Sequence, residues 1–345
     1  MMRRALGLAE RGLYTTTPNP RVGCVVSKNE EILGEGWHEK AGGPHAEVAA
    51  LERAGARAAG ATVYVSLEPC NHHGRTPPCV ELLVKKKVAR VVAAMRDPNP
   101  AAGHGGGALA AAGIGFEHGL MENEARELNI GFVSRMTRGR PWVRLKVAAS
   151  LDGRTALRDG RSQWITGAEA RRDGHRWRAR ACAVLTGIGT VKADDPRLTV
   201  REVETPRQPL RVIVDSRLET PPGARILEGD KVLVFSAKEG SLRNAEVIRL
   251  PNPNQKVELP KMLEELARRG VNELHVEAGV RLNGSLAREG CVDEYLIYLN
   301  PSLLGEGAQG MLDLPAFDSL EKRLRLKILS LERLGEDLRV VARPA

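Results

Sequence analysis

The feature that most constrains this chain is a set of three metal-binding side chains in two short segments. His45 lies in P-H-A-E at 44–47, while Cys70 and Cys79 bound the segment C-N-H-H-G-R-T-P-P-C, so one imidazole and two thiols fall within 35 residues. Neutral imidazole and thiolate are the ligands that Zn²⁺ prefers. Three protein ligands with a free carboxylate beside them, here Glu47, are typical of an open, catalytic zinc site. The pattern therefore predicts a zinc centre with one coordination position left for water.

A closed, structural zinc site is the alternative interpretation, with a fourth ligand taken from Cys24, His38, His72 or His73. That alternative leaves Glu47 without a role. In an open site zinc lowers the pKa of a bound water, and a neighbouring carboxylate can take the proton and pass it to a leaving amine. The local pattern also places His45 and Cys79 at helix N-termini, where the helix dipole stabilises a thiolate.

The spacing of these residues carries a family resemblance. An H-x-E motif followed by P-C-x-x-C is typical of zinc-dependent deaminases of cytosine, adenine and related rings, but here eight residues separate the two cysteines. With this insertion and T-P-N-P-R-V-G-C at 17–24, the chain strongly resembles the N-terminal half of the bifunctional riboflavin-biosynthesis deaminase/reductases. The resemblance implies that zinc is held by His45, Cys70 and Cys79, that Glu47 transfers protons, and that the pocket is lined by Asn19, His38, His73 and Arg75.

The chain is long enough, at 345 residues, for two domains. Strands alternate with helices, which indicates an α/β fold. The polar T-R-G-R-P at 137–141 marks the candidate boundary, so we expect domains at 1–140 and 141–345. The pattern predicts one helix over 122–137, and we interpret the glycine-rich segment 101–107 as a loop because no strand leads into it. In the second domain it predicts strands at 143–149, 183–187, 211–215, 231–236, 273–276, 294–299, 324–330 and 338–342, and helices at 168–179, 259–269 and 282–289.

The second half lacks a G-x-G-x-x-G motif after a strand, so the standard dinucleotide fingerprint is absent. The nearest substitute is E-A-G-V-R-L-N-G-S at 277–285, whose glycines would let backbone N–H groups approach a phosphate; a tight turn without a ligand is the alternative. S-L-D-G-R at 150–154, S-Q-W-I-T at 162–166, A-D-D-P at 193–196 and V-E-A-G at 276–279 resemble the reductase half of the same family. That half is similar in fold to dihydrofolate reductase and uses NADPH. The expected architecture is a cytidine-deaminase-like zinc domain followed by a dihydrofolate-reductase-like domain.

The same resemblance implies specific contacts in the reductase half. NADPH contacts are expected from Ala148, Trp164, Thr190, Asp194, Ser216 and the turn made by Gly279, Val280, Arg281, Leu282, Asn283, Gly284 and Ser285. Contacts to the sugar-phosphate substrate are expected from Ser162, Arg178, Leu198, Arg201 and Glu277. Arg178 and Arg201 suit that role, because a guanidinium group matches a phosphate bidentately. Lys146 and Asp194 are the candidate catalytic residues, one to donate a proton and one to orient the ribose hydroxyls.

Charge and composition argue against a nucleic-acid partner. The net charge is +9, but it is spread along the chain, with 18 basic against 14 acidic residues over 1–140 and 34 against 29 over the rest. Aromatic residues make up only 3%, which leaves few platforms for stacking bases. We therefore expect a phosphorylated small molecule as substrate, and we expect the chain to form a homo-oligomer.

The sequence also bears on location. No apolar run approaches the roughly 18 residues that predict a membrane span, and the first residues lack the apolar centre of a signal peptide. Five cysteines, an odd number at scattered spacings, do not form a disulfide framework. These features predict no membrane association and a cytoplasmic location, with Cys24, Cys182 and Cys291 buried and inert.

The expected function is a pair of consecutive reactions. The resemblance implies zinc-dependent deamination of 2,5-diamino-6-(5-phosphoribosylamino)pyrimidin-4-one, followed by NADPH-dependent reduction of the ribosyl group of the aminouracil product to ribityl. Two other classes remain open. One is a single-activity tRNA or nucleoside deaminase whose C-terminal half only binds; the wide cysteine spacing and the lack of a basic, aromatic strip argue against it. The other is a non-catalytic, zinc-stabilised regulator of flavin genes, which predicts a four-coordinate zinc and no NADPH binding.

Overall fold

The computed structural model describes residues 1–73, 77–102, 104–230 and 232–345. The chain folds into two compact units, Met1–Gly139 and Arg140–Ala345, each with its own sheet. Both units combine helices with mixed sheets, so the α/β fold class is confirmed. Within the described ranges, no helix is both long enough and apolar enough to cross a membrane.

The first unit is a five-stranded sheet with helices on both faces. Its helices are α1 (Met2–Glu10), α2 (Ala46–Ala54), α3 (Cys79–Lys85), α4 (Gly105–Ala111), α5 (Glu122–Leu128) and α6 (Ile130–Arg138), with 3₁₀ turns at Gly55–Ala58 and Pro100–Ala102. Its strands are β1 (Gly23–Lys28), β2 (Glu31–Trp37), β3 (Thr62–Val65), β4 (Arg90–Ala93) and β5 (Gly115–His118). The strand order is β2-β1-β3-β4-β5; β1 is antiparallel to both neighbours, and β3, β4 and β5 are parallel.

Successive residues of the central strands enter two different cores, because side chains alternate across a sheet. Cys24 and Val26 of β1 pack with α2, α3 and α4, whereas Val25 packs with α1, α5 and α6. Helices cover both faces, and the strands consequently read as nearly continuous apolar runs. The predicted metal ligands belong to the face that carries α2 and α3.

Helix α2 lies unusually close to β2, and glycine makes this possible. A Cβ atom at Gly34 would lie 2.2 Å from the Ala50 carbonyl oxygen, and one at Gly36 would lie 2.5 Å from that of Ala46. Any side chain at either position would push the helix away. The contact fixes α2 on the sheet and thereby places His45 and Glu47, which lie at its first turn.

The glycine-rich segment 101–107 is a loop only in part. Its last three residues belong to helix α4 (Gly105–Ala111), which packs against the metal-binding loop, and Gly103 lies outside the described residues. A Cβ atom at Gly105 would lie only 1.8 Å from the Pro69 carbonyl oxygen, just before Cys70. Glycine at this position therefore allows a close backbone contact and does not make the segment flexible. Composition alone does not distinguish these two roles of glycine.

The sequence pattern predicted one continuous helix over 122–137, and this prediction is wrong because the segment is divided into α5 and α6 at Asn129. The buried Asn129 side chain accepts a hydrogen bond from the Arg21 backbone N–H at 2.8 Å and donates one to the Arg21 carbonyl at 2.9 Å. This two-way bond ties the helix break to the segment that precedes β1. A partner 108 residues away decides the break.

The second unit is built on a nine-stranded sheet. Its helices are α7 (Ala168–Arg180), α8 (Ile188–Asp194), α9 (Leu259–Arg268) and α10 (Val280–Arg288), with 3₁₀ turns at Arg225–Leu227 and Leu320–Lys322. Its strands are β6 (Trp142–Ser150), β7 (Arg154–Ala156), β8 (Ala183–Gly187), β9 (Leu210–Val214), β10 (Val232–Ser236), β11 (Ala245–Arg249), β12 (Glu273–Val276), β13 (Glu294–Asn300), β14 (Gln309–Gly310), β15 (Leu326–Leu334) and β16 (Asp337–Pro344). The order is β11-β10-β9-β8-β12-β6-β13-β16-β15, with β7 and β14 forming a separate pair. The sequence patterns did not predict β5 or β11.

The strands of this sheet run parallel from β11 to β13, and β16 and β15 continue it in antiparallel pairing. The parallel strands therefore end at one edge, where ligands bind in open α/β sheets. The face that carries Val143, Leu145 and Val276 packs into the main apolar core. The opposite face of β6 and β12 carries Arg144 and His275, which are neighbours in the strand register and are both fully or almost fully buried.

Candidate functional site

The three predicted metal ligands converge in the first unit. His45 is the residue before the first turn of α2, Cys79 is the first residue of α3, and Cys70 lies in the loop after β3. The Nδ1 atom of His45 lies 3.2 Å from the Cys79 sulfur and 3.6 Å from the Cys70 sulfur, and the three donor atoms all lie within 4.8 Å of one another. Tetrahedral zinc with ordinary Zn–N and Zn–S lengths requires donors about 3.5–3.8 Å apart. The donor set thus fits zinc in both chemistry and spacing.

The two sulfurs differ in their protonation. The hydrogen bond with the Cys79 thiol and the adjacent His45 ring lower the pKa of the Cys70 thiol to about 4, while the same bond and burial raise the pKa of Cys79. The backbone N–H of Cys79 also donates to the Cys70 sulfur at 3.4 Å. One thiolate is therefore present at neutral pH, and a bound cation favours the second.

Glu47 lies in the first turn of α2 with 3% of its surface exposed. Burial raises the pKa of its carboxyl group, and the charge of His45 opposes this shift. Across the parts of the first unit that the structure describes, no fourth His, Cys, Asp or Glu atom joins the ligand group. A buried carboxyl with a raised pKa beside three ligands is suited to take up and return a proton.

Asn19 and His38 lie beside the ligand group. The His38 Nδ1 atom is 2.9 Å from the Pro44 carbonyl oxygen, so it carries the proton and donates; Nε2 then accepts from the Asn19 amide at 3.0 Å. Burial lowers the pKa of His38, which is consistent with this neutral tautomer. The His38 and His45 rings meet edge to face with centroids 5.7 Å apart. Asn19 and His38 are therefore held next to the ligand group.

His73 and Arg75 were the other predicted pocket residues. The His73 side chain is exposed, and its Nε2 atom lies 3.1 Å from Glu81 on the outer side of α3. Arg75 lies outside the described residues. A role for either in the pocket stays a prediction. The three remaining cysteines, Cys24, Cys182 and Cys291, are buried, and none of them belongs to a disulfide.

In the second unit, Glu277 is the centre of a half-buried charge cluster. Both nitrogens of the Arg178 fork bond its carboxylate, one of them at 2.9 Å, and the Lys146 Nζ atom lies 3.7 Å away. Burial raises the pKa of Glu277, but the charges of Arg178 and Lys146 outweigh it and hold that pKa well below its usual range. Two predicted substrate residues and one predicted catalytic residue therefore form one contact group at the carboxyl end of β12.

A second basic group, Arg201, lies near Arg178. Both guanidinium groups donate to Thr199: Arg178 to its carbonyl at 3.0 Å, and Arg201 to its hydroxyl at 3.2 Å. Burial and the positive charge of Arg178 lower the pKa of Arg201. Two guanidinium groups placed so that they repel each other form a site that favours a bound anion, such as a phosphate.

The predicted NADPH residues lie along the carboxyl edge of the sheet. The Thr190 hydroxyl of α8 and Gly279 are neighbours, since a Cβ atom at Gly279 would lie 3.5 Å from that oxygen. Asn283 donates to the Ala278 carbonyl at 3.0 Å and so closes the turn at the start of α10. The Ser216 hydroxyl accepts from the Val257 backbone at 3.1 Å.

The other residues predicted to contact NADPH or the substrate lie in several different environments. Ala148 packs against the small core under α7, Leu198 is buried, and Ser162 is half-buried. Trp164 is 70% exposed with the Arg171 guanidinium 4.9 Å from its ring centre. Leu282 packs on Gly187, Gly284 lies against the Asp313 backbone, and the Ser285 hydroxyl accepts from Arg288; Val280 and Arg281 are in the first turn of α10.

Lys146 and Asp194 are not joined by an ion pair in the described part of the chain; the carboxylate near Lys146 is that of Glu277. Sequence reasoning also missed the buried charges under α7. Arg144 bonds Glu273 at 3.1 Å and Glu294, and His275 lies 3.4 Å from Glu277. The alternation E-L-H-V-E at 273–277 and R-L-K at 144–146 was the available signal, since period two puts these charges on one strand face.

Comparisons with known proteins agree with this geometry. Residues 141–340 match the family model described as the RibD C-terminal domain, and residues 1–95 match the cytidine and deoxycytidylate deaminase zinc-binding region. The riboflavin biosynthesis protein RibD of Escherichia coli (strain K12) is 46% identical over 98% of this chain and 96% of its own length; that of Aquifex aeolicus (strain VF5) is 43% identical over 98% and 96%.

Solved structures give the same result. Acinetobacter baumannii RibD, form 1, superposes with a TM-score of 0.94 at 46% identity, covering 100% of this chain and 98% of that one. The Thermotoga maritima diaminohydroxyphosphoribosylaminopyrimidine deaminase/5-amino-6-(5-phosphoribosylamino)uracil reductase has a TM-score of 0.91 at 34% identity, covering 100% and 97%.

Proposed function

Because this chain belongs to the RibD family of riboflavin-biosynthesis proteins, we propose that its first unit carries the deamination and its second unit the reduction. The protein is a bifunctional enzyme that uses zinc and NADPH. It deaminates 2,5-diamino-6-(5-phosphoribosylamino)pyrimidin-4-one and then reduces the ribosyl group of the aminouracil to ribityl. The observation that carries the proposal is the convergence of His45, Cys70 and Cys79 beside the buried carboxyl of Glu47.

The alternative of a single-activity tRNA or nucleoside deaminase is not favoured, because residues 141–340 match a reductase-family domain rather than an unrelated binding domain. A zinc-stabilised regulator needs a closed, four-ligand site. The ligand group contains three members in the described parts of the first unit, which supports an open site instead.

In the deamination, His45, Cys70 and Cys79 hold zinc, whose chemical contribution is to lower the pKa of a coordinated water to about 7. Glu47 takes the proton from the water and returns it to the departing nitrogen. A carbon–oxygen bond forms at the amidine-like carbon, the carbon–nitrogen bond breaks, and ammonia leaves. Asn19, fixed through His38 to the Pro44 carbonyl, orients the ring, and His73 and Arg75 are proposed as further substrate contacts.

In the reduction, Arg178 and Arg201 bind the substrate phosphate, with Ser162 and Leu198 as further contacts. C1 of the ribose would take up a hydride, which bound NADPH would supply, while the bond between C1 and the ring oxygen breaks and that oxygen receives a proton. Glu277 holds both Arg178 and Lys146, so it couples phosphate binding to the position of the amine. We propose Lys146 as the proton donor and Asp194 as the group that orients the ribose hydroxyls.

The proposed cofactor contacts are those along the carboxyl edge of the sheet. The Gly279–Ser285 turn at the start of α10 offers backbone N–H groups to the pyrophosphate, with Thr190 beside it. Ala148 belongs to β6, which is next to β12 in the sheet, and Ser216 follows β9 on the far side of β8; we propose that Ala148 and Trp164 contact the nicotinamide end of the cofactor and Ser216 the other end.

We further propose that the chain forms a homo-oligomer through strand β15. This strand is the last in the sheet, with one side unpaired, and it exposes Leu326, Ile328, Leu329 and Leu331. A nine-residue apolar edge strand is a liability unless it is covered, and a second copy can pair with it across a two-fold axis. Ile328→Glu should convert the oligomer to monomers in sedimentation analysis; an unchanged mass would exclude this interface.

We also propose where the protein acts and what it binds. The absence of disulfides among five buried or half-buried cysteines supports a reducing compartment, and we propose the cytoplasm. The substrate is a small phosphorylated pyrimidine, and we propose no nucleic-acid partner.

The direct test measures both activities on the purified full chain. We expect about one zinc per chain and saturable NADPH binding. Removal of zinc by a chelator should abolish ammonia release from the diaminopyrimidinone while NADPH oxidation with the aminouracil continues. Ammonia release from a tRNA anticodon with no NADPH binding would instead identify the protein as a single-activity deaminase.

A further inference from the structure

Helix α7 covers the most highly charged part of the second unit's sheet, and the apolar core beneath it is small. Of its thirteen residues, Ala170 and Trp177 belong to that core. The strand face below carries buried charges, with Arg144 bonded between Glu273 and Glu294. Apolar contacts are not directional, whereas hydrogen bonds are, so the exact position of α7 depends on its polar contacts.

Asp173 is the buried residue at which these polar contacts meet. The Nη1 atom of Arg339 in β16 donates to both of its carboxylate oxygens, at 2.9 and 3.1 Å, and the Tyr298 hydroxyl of β13 donates at 2.8 Å. Burial and the charge of Asp173 raise the pKa of Tyr298, so this hydroxyl keeps its proton and donates. Arg339 also bonds Glu332 of β15. One carboxylate therefore ties the middle of α7 to two strands that are neighbours in the sheet.

The same carboxylate reaches the residue that precedes Arg178. The indole Nε1 atom of Trp177 donates to Asp173 at 3.3 Å. The guanidinium groups of Arg144 and Arg339 lie 4.2 and 5.9 Å from the centre of the indole ring, where a cation is attracted to the ring face. The indole is thus held through both its nitrogen and its ring. These contacts fix the rotation of α7 at the position next to Arg178.

The start of α7 is tied to the same strands. Asp337 of β16 is fully buried and accepts hydrogen bonds from the Gly167 backbone N–H at 2.7 Å and from the Asn300 amide at 2.8 Å. Gly167 immediately precedes the first turn of α7. A helix held at its start and at its middle cannot slide or rotate without breaking charge-assisted hydrogen bonds. The fork that Arg178 makes with Glu277 depends on this, because a bidentate contact has a narrow geometry.

We propose that Asp173 is a positioning residue for the reduction, which sets α7 so that Arg178 meets the substrate phosphate. The inference rests on the proposed role of Arg178 in binding that phosphate. Asp173 bonds side chains of β13 and β16, whereas Arg178 bonds Glu277 just beyond β12, so the effect passes through the helix that carries both. A misplacement of about 1 Å in a distant residue can cost about a hundredfold in rate. Loss of the Asp173 contacts should therefore weaken phosphate binding and leave cofactor binding intact.

The test uses the full-length enzyme and measures the KM for the aminouracil substrate, competitive inhibition by ribose 5-phosphate and the dissociation constant of NADPH. Asp173→Asn should raise the KM and the inhibition constant about ten- to a hundredfold, the range expected for one or two charge-assisted contacts. The kcat and the NADPH constant should change by about twofold or less, because the lost contact contributes only to substrate binding. Tyr298→Phe removes a single hydroxyl group and should act in the same direction, by about two- to tenfold.

A double-mutant cycle determines whether Asp173 acts through Arg178. Arg178→Lys keeps a positive charge beside Glu277 but loses the planar fork, so it should weaken inhibition by ribose 5-phosphate by itself. Adding Asp173→Asn to Arg178→Lys should cause no further weakening, because the group that Asp173 positions is already gone. Additive losses would overturn the inference.

Two matched controls accompany these variants. Tyr295→Phe alters a second buried tyrosine of β13, which packs on the opposite face of the strand in the main apolar core. Asp318→Asn makes the same change of charge as Asp173→Asn at an exposed aspartate, which pairs with Lys322 at 2.7 Å. Both controls should leave the KM and the inhibition by ribose 5-phosphate at native values.

Three further outcomes would count against the inference. Equal losses of ribose 5-phosphate and NADPH binding in Asp173→Asn and Tyr298→Phe would show a purely structural role and overturn it. Native inhibition by ribose 5-phosphate in both variants, together with weakened inhibition in Arg178→Lys, would overturn it and leave the phosphate contact of Arg178 in place. Native inhibition in Arg178→Lys itself would overturn that proposed contact, and the positioning role of Asp173 with it.

Discussion

The two centres of this chain differ in where their charges come from. In the first unit, the Cys70 thiolate, the Cys79 thiol and the Glu47 carboxyl group meet at a point where none of the arginines and lysines that the structure describes bonds them. In the second, Glu277 is neutralised within the chain by Arg178 and Lys146, and Arg144 lies between Glu273 and Glu294. The first centre is thus completed by a metal ion, and the second by its own ion pairs.

This difference predicts how each centre responds to damage. Loss of a carboxyl group that only moves protons should stop a reaction without loosening the fold. Loss of one member of a buried ion pair leaves an uncompensated charge, so activity and stability should fall together.

The largest effect is expected from Glu47→Gln. The amide cannot take up and return a proton, so ammonia release should fall about 10²–10⁴-fold. Zinc content, the unfolding temperature and reduction of the deaminated substrate should all stay at native levels. Glu52→Gln, at an exposed position of the same helix, is the control and should be neutral. Loss of zinc together with activity would show that Glu47 is a ligand and erase the contrast between the centres.

The next effect is expected from Arg178→Met. The Glu277 carboxylate then remains largely buried with only Lys146 and the His275 ring near it, and breaking such a pair costs about 3–5 kcal/mol. The rate of NADPH oxidation should fall by an amount that corresponds to at least the same free energy, because the contact of Arg178 with the substrate phosphate is lost too. Zinc binding and ammonia release should persist. The double variant Arg178→Met/Glu277→Gln should regain part of the stability but none of the reduction. Calorimetry would contradict the comparison if the double variant were no more stable than the single one.

A smaller effect is expected from Lys146→Met and Asp194→Asn. Each variant removes one side chain that takes part in the reduction. The rate of reduction should fall on the order of a hundredfold or less, as it does when a reacting group is misplaced. Deamination should not change in either. Lys261→Met, at an exposed lysine of α9, serves as the control. Native reductase kinetics in well-folded forms of both variants would remove them from the mechanism.

The smallest effect is expected from separating the units. Fragments 1–139 and 140–345 should bind zinc and NADPH respectively, each within about twofold of the affinity of the full chain, because the residues proposed for each ligand all belong to one unit. Isothermal titration of each fragment measures this. NADPH binding by the first fragment alone would contradict the assignment of activities.

The sequence determined most of what depends on residue type and short spacing. The ligand set of His45, Cys70 and Cys79 is a matter of donor chemistry within 35 residues, and these atoms do converge. The alternation of strands and helices indicated the α/β class, because periodicity follows directly from which faces are buried.

Tertiary structure decided whatever depends on a distant partner. The helix at Gly105 exists because its backbone touches Pro69, and the break at Asn129 exists because that side chain bonds Arg21. Lys146 and Glu277 meet because parallel strands β6 and β12 pair in one register, which sets them side by side although 131 residues separate them. Such pairings follow from the packing of whole elements, and local patterns do not contain that information.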